Sequence, residues 1–147
     1  MSISNLTDHT GYWLRMVSNA VSQDFARKVA VEGVTVAEWV FLRALFDDDA
    51  TAPVLLASRM GMTRGAITKL ADRLIAKGLV ARLDKEGRGQ KLALTAEGRS
   101  KVPRLAGLAD RNDAEYFGTL SEGDRAALGR ILQQLVTGRG LTSVPLT

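Results

Sequence analysis

Apolar residues recur every three to four positions across residues 11 to 31, as Leu14, Val17, Val21, Phe25 and Val29. That spacing predicts one buried helical face. Residues 35 to 46 read as a second helix, with Thr35 and Glu38 placed as a capping box at its start. The run Asp47, Asp48, Asp49, Ala50 closes it as an acidic loop suited to solvent. Pro53, near Thr51, opens a short helix that ends at Gly61, since proline is harmless in a first turn. Thr63 then caps a helix that stops at Gly78.

Beyond Gly78 the period changes. LVARL and QKLAL are short strand candidates, and DKEGRG between them, two glycines among charges, is a turn. Thr95 starts a long helical region to about Gly118, and Ser121 caps a last helix striped by Leu128, Ile131, Leu132 and Leu135. Pro103 either kinks the first of these two helices or lies near its beginning, because an interior proline costs ~3 kcal/mol. The order is four helices, a hairpin, two helices. That predicts a mainly α fold with a small β-hairpin wing: a winged helix-turn-helix with flanking helices. Those outer helices carry more apolar surface than a monomer of this length can hide, so a partner chain is expected.

Composition narrows the chemistry. The 147 residues suit one compact domain, and 46% apolar residues suffice for a core. The chain has no cysteine, which excludes disulfides, thiolate metal sites and cysteine-based catalysis or sensing. Its one histidine, His9, argues against a protein-only metal site, and no cofactor is expected. The start MSISNLTDHT lacks a signal-peptide layout, and no apolar run reaches the ~18 residues of a membrane span. A soluble cytoplasmic protein with no membrane partner is the expectation.

The net charge is +4, but its distribution matters more. Residues 59 to 91 hold nine Lys or Arg against three Asp or Glu, 9 − 3 = +6, leaving 4 − 6 = −2 elsewhere. A basic patch in a mildly acidic chain points to a polyanionic partner. The plain alternative is a solvated basic face with no partner.

The patch centres on TRGAITKLADRLIAKGLV. With Arg64 at 0° and ~100° per residue, Ile67, Leu70, Ala71 and Leu74 fall between about 240° and 340°. Arg64, Gly65, Thr68, Lys69, Asp72 and Arg73 fall between 0° and about 180°. One side packs; the other is polar and mostly basic. A helix in the major groove uses its first two turns to reach base edges. Those turns offer Arg64, Gly65, Thr68 and Lys69, while Thr63 and the free amides beside it suit a phosphate. Arg88 at the tip of a glycine-flanked turn, with Lys85 in the same turn, suits a narrow minor groove.

The run GMTRGAITKLADRLIAKGLVARLDKEGRGQKLALTAEG resembles the DNA-reading region of the MarR family of bacterial transcription regulators. GVTVAEWVFLRAL resembles that family's second helix and LSEGDRAALGRILQQL its last, so the likeness spans nearly the whole chain. It implies a single domain over residues 1–147: a winged helix-turn-helix at about 35–97 and dimerisation helices at about 5–31 and 98–138. It also implies a sequence-specific regulator, a repressor in our reading, that binds a near-palindromic operator in double-stranded DNA as a homodimer. One departure stands out. The family's wing reads Asp-Arg-Arg, where this chain has Glu86, Gly87 and Arg88.

Many members of that family release DNA when a small aromatic acid enters a pocket between the dimerisation helices and the winged domain. The matching candidates here are His9, Tyr12, Trp13 and Arg15 in the first helix and Trp39 in the second, able to stack a ring and pair its carboxylate. Read without a ligand, Trp13 and Trp39 are core aromatics and His9 a surface or interface residue. An enzyme is the competing class. It lacks a nucleophile–histidine spacing and a glycine-rich phosphate loop. A winged-helix protein-interaction module without specific DNA binding is the other alternative, against which the basic excess argues.

Overall fold

A computed structural model describes residues 2–84, 90–142, 144 and 146. A short 3-10 turn, Leu6–Asp8, precedes helices α1 (Thr10–Val31), α2 (Val36–Phe46), α3 (Pro53–Met60) and α4 (Arg64–Ala76). Strands β1 (Val80–Asp84) and β2 (Gln90–Leu94) follow, then α5 (Ala96–Phe117) and α6 (Glu122–Arg139).

The helix starts follow from local chemistry. The Thr35 hydroxyl accepts the Glu38 N–H at 3.1 Å, and the Glu38 carboxylate accepts the Thr35 N–H at 2.7 Å. This is the predicted capping box. Thr63, Thr95 and Ser121 cap α4, α5 and α6 in the same one-sided way. Gly61 ends α3 with φ +63°, a left-handed conformation that glycine adopts without steric cost.

The core lies where α2, α3, α4 and the strands meet. Phe41, Leu42, Leu45, Leu56, Ile67 and Leu74 are fully or almost fully buried there, and Leu105 closes it from α5. The buried side of α4 is Ile67, Leu70, Ala71 and Leu74, the face that the helical wheel selects. The strands pair antiparallel with Val80 opposite Leu94 and Asp84 opposite Gln90.

Of the two places expected for Pro103, it takes the one inside α5, so the Arg99 carbonyl loses its helical donor while the helix continues to Phe117. Two features differ from the sequence expectations. The acidic run after α2 is not merely solvated. Asp48 accepts from Arg59 at 2.8 Å and from the Thr51 hydroxyl at 3.1 Å, and Asp47 pairs with Arg43. Thr51 also exchanges two backbone hydrogen bonds with Leu92, adding a one-residue third rung to the hairpin. A single residue carries no period-2 signal, so this rung is not legible from residue pattern alone.

The outer helices are poorly covered. None of the residues of α6 is buried, and Ile131, Leu132 and Leu135 are about two-fifths to one-half exposed. Trp13, Leu14, Met16 and Val17 along α1 are exposed to a similar degree. Contiguous apolar surface of this kind marks an interaction site.

Candidate nucleic-acid interface

The outward arc of α4 is built by its inward one. Burying Ile67, Leu70, Ala71 and Leu74 fixes the helix's rotation, which leaves Thr63, Arg64, Gly65, Thr68, Lys69, Asp72 and Arg73 exposed. The Thr68 hydroxyl donates to the Arg64 carbonyl at 3.0 Å, and its oxygen, on an exposed residue, keeps the capacity to accept a further hydrogen bond. Arg64 and Lys69 form no ion pair among the described residues. Asp72 is different. Its carboxylate accepts from Arg82 of β1 at 2.5 Å, which removes its repulsion for an anion and ties α4 to the base of the hairpin.

Arg73, also expected on the contact arc, leans the other way. Its guanidinium lies 3.6 Å from the Glu38 carboxylate. Lys77 approaches the same Glu38 oxygen at 2.9 Å and donates to the Gly33 carbonyl at 2.8 Å. Burial pushes the Glu38 carboxyl up, but hydrogen bonds from Lys77 and Thr35 and the charges of Lys77 and Arg73 outweigh it, and the group is held below the usual carboxylate range. The wing candidates Lys85 and Arg88, and the altered positions Glu86 and Gly87, lie outside the described residues.

The five expected ligand residues do not converge. Trp13 lines an apolar groove of about 630 Å³ between α1 and the α5–α6 region, with Leu14, Val17, Phe117, Leu128 and Leu132. Trp39 lines a second groove of about 240 Å³, where α2 faces Phe25 of α1 and Asn112 of α5, and which adjoins the first at Val21 and Ser22. His9, Tyr12 and Arg15 line neither. Nor is either tryptophan a fully buried core aromatic: Trp13 is 49% exposed and donates its indole N–H to the Thr7 carbonyl, and Trp39 is half-buried at the core's edge. Asn112, which sequence reading missed, is buried beside the Trp39 groove. It accepts from Lys28 at 2.9 Å and donates to the Val21 carbonyl at 3.2 Å. Its signal was a polar residue on the inner face of a helix, visible only once the partner face is known.

A family model described as "MarR family" matches residues 32–90. A putative transcriptional regulatory protein for the hcr operon of Thauera aromatica is 27% identical over 134 residues, 89% of this chain and 81% of that protein. The HTH-type transcriptional repressor Rv2887 of Mycobacterium tuberculosis is 27% identical over 127 residues, 85% of this chain and 91% of its own. The crystal structure of Rv2887 in complex with DNA matches with TM-score 0.72 and 25% identity, covering 86% of this chain and 97% of that one. CouR from Rhodococcus jostii RHA1, bound to p-coumaroyl-CoA, matches in fold with TM-score 0.73 at 23% identity, covering 90% of this chain and 95% of that one.

Proposed function

We propose, from the premise that this chain belongs to the MarR family of DNA-binding transcription regulators, that it represses transcription as a homodimer on an inverted-repeat operator. Residues 35–97 form the winged reading unit, and residues 5–31 and 98–138 supply the dimerisation helices. The observation that carries this reading is the outward arc of α4. Arg64 and Lys69, unpaired among the described residues, stand with Thr68 beside a hairpin joined to the same helix through Asp72 and Arg82. Arg64 and Lys69 suit guanine O6 and N7, Thr68 a thymine methyl, and Thr63 with Gly65 the phosphate at the helix start. Arg88 and Lys85 would follow the minor groove. Two copies joined through their exposed outer helices would present two α4 helices about one turn of DNA apart.

Acting on DNA as a regulator, it would work in the cytoplasm; among the described residues no helix is long and apolar enough to cross a membrane. For an effector, the Trp39 groove is the better place, because it lies between the outer helices and the reading unit. A small aromatic or amphipathic anion seated there would meet a ring, Asn112 and the nearby Lys28 ammonium, which it would share with Glu115, and it would have to keep its charge away from the Asp113 carboxylate on the rim. It would also separate or join the two parts that must move together on DNA.

Selection from random duplex DNA, followed by binding across a salt series, tests the proposal. Selected sites should contain a dyad, and affinity should fall steeply with salt because much of it comes from phosphates. Lys69→Ala should change the selected sequence at a cost of ~1–3 kcal/mol per lost base contact. Sites without a dyad, or Lys69→Ala binding the same sequences with the same affinity, would overturn the groove assignment.

A further inference from the structure

We propose that Glu38 is a positioning residue for DNA reading: it clamps α4 from its C-terminal end through Lys77 and Arg73, and Arg73 serves that clamp in place of a DNA contact. This rests on α4 being the helix that reads DNA. Glu38 is the one carboxylate fully buried among the described residues. Its Oε1 collects the Thr35 N–H, the Lys77 ammonium at 2.9 Å and the Arg73 guanidinium at 3.6 Å, while Oε2 has no partner among the described residues.

A capping box does not need this charge, since glutamine caps equally well at the same position. Burying a carboxylate with one bare oxygen is costly, and the Thr35 N–H, Arg73 and Lys77 together offset it. Lys77 lies just past the last turn of α4 and also holds the Gly33 carbonyl. One ammonium therefore joins the end of α4 to the start of α2 and to the turn that leaves α1. Arg73 lies nine residues after Arg64, about 180° around the helix, so an Arg64 aimed at base edges leaves Arg73 on the flank. The buried stripe fixes the rotation of α4, and the clamp holds its C-terminal end against α2, which sets the angle at which its first turns meet the bases.

The test uses the full chain and the operator selected for it, with Lys69→Ala as the contact control. Lys69→Ala, the base contact, should relax the selected sequence and lower the ratio of operator to random-DNA affinity about tenfold or more. Arg73→Ala should weaken operator binding and leave the slope at the wild-type value. Glu38→Gln keeps the cap and removes the charge. It should lower the ratio of operator to random-DNA affinity about tenfold and steepen the slope by about 1, as the released Arg73 meets a phosphate. Adding Arg73→Ala to Glu38→Gln should restore the slope, and Lys77→Arg should retain the wild-type ratio.

An Arg73→Ala slope reduced by about 1 would make Arg73 a phosphate contact and overturn the proposal. So would a Glu38→Gln protein with wild-type ratio and slope. If circular dichroism shows Glu38→Gln unfolded, the Arg73→Ala slope still decides. If Lys69→Ala changes nothing, the assignment of α4 as the reading helix fails first, and the clamp with it.

Discussion

Gly98, in the first turn of α5, is a position where two physical effects have opposite signs. Helix propensity alone makes Gly98→Ala stabilising by ~0.8–1.0 kcal/mol. The structure opposes this. A Cβ at Gly98 would lie 2.1 Å from the Leu79 carbonyl oxygen and 3.0 Å from its carbon. Unstrained contacts of this kind are ~3.5 Å, so one backbone must retreat by more than about 1 Å. Leu79 has little freedom to do so, because its carbonyl accepts the Thr95 N–H at 3.1 Å. Thr95 in turn donates to the Gly78 carbonyl at 2.7 Å and caps α5 through the Gly98 N–H at 3.0 Å. Overpacking costs ~1–3 kcal/mol and a lost hydrogen bond ~1 kcal/mol, against the ~1 kcal/mol gained from propensity. The net expectation is a loss of about 2 kcal/mol, a fall in Tm of roughly 4–8 °C for a chain of this size. Thermal unfolding followed by circular dichroism at fixed protein concentration measures it. Gly107→Ala in the same helix, where a Cβ meets nothing within 4 Å, is the control and should raise Tm by roughly 2–4 °C. A Gly98→Ala protein that melts at or above the wild type would show that α5 and β1 do not approach so closely, and the placement of the wing's base would fall with it.

Two further outcomes follow from the outer helices and the grooves. Leu132→Asp or Leu135→Asp places a charge on the exposed stripe of α6 and should give a folded monomer by light scattering with much weaker operator binding; an intact dimer would place the interface elsewhere. In a titration with aromatic carboxylates and phenols, Trp39→Phe should weaken effector affinity and operator release together, whereas Trp13→Phe should leave both unchanged, since the two tryptophans line different grooves. Release that depends on Trp13 alone would move the effector site to the α1–α5–α6 groove.

The sequence by itself determined the elements and their faces. Caps at Thr35, Thr63, Thr95 and Ser121, the break at Gly61 and the inward stripe of α4 were legible because each depends on residues within one or two turns. The exposed arc with Arg64, Thr68 and Lys69 was legible for the same reason: it is what the buried stripe leaves over. Tertiary structure alone decided the partners across distance. Asp72 looked like one more exposed acid until Arg82 met it, and nothing local to Arg73 showed that it lies 3.6 Å from Glu38. Thr51 became a sheet rung because Leu92 passed beside it, and Gly98 became obligatory because Leu79 did. Trp13 and Trp39, joined in sequence reasoning by residue type, ended in two adjoining grooves. Helical period and capping act within a few residues of one strand of chain, whereas ion pairing, close backbone approach and groove shape depend on which segments the fold brings together.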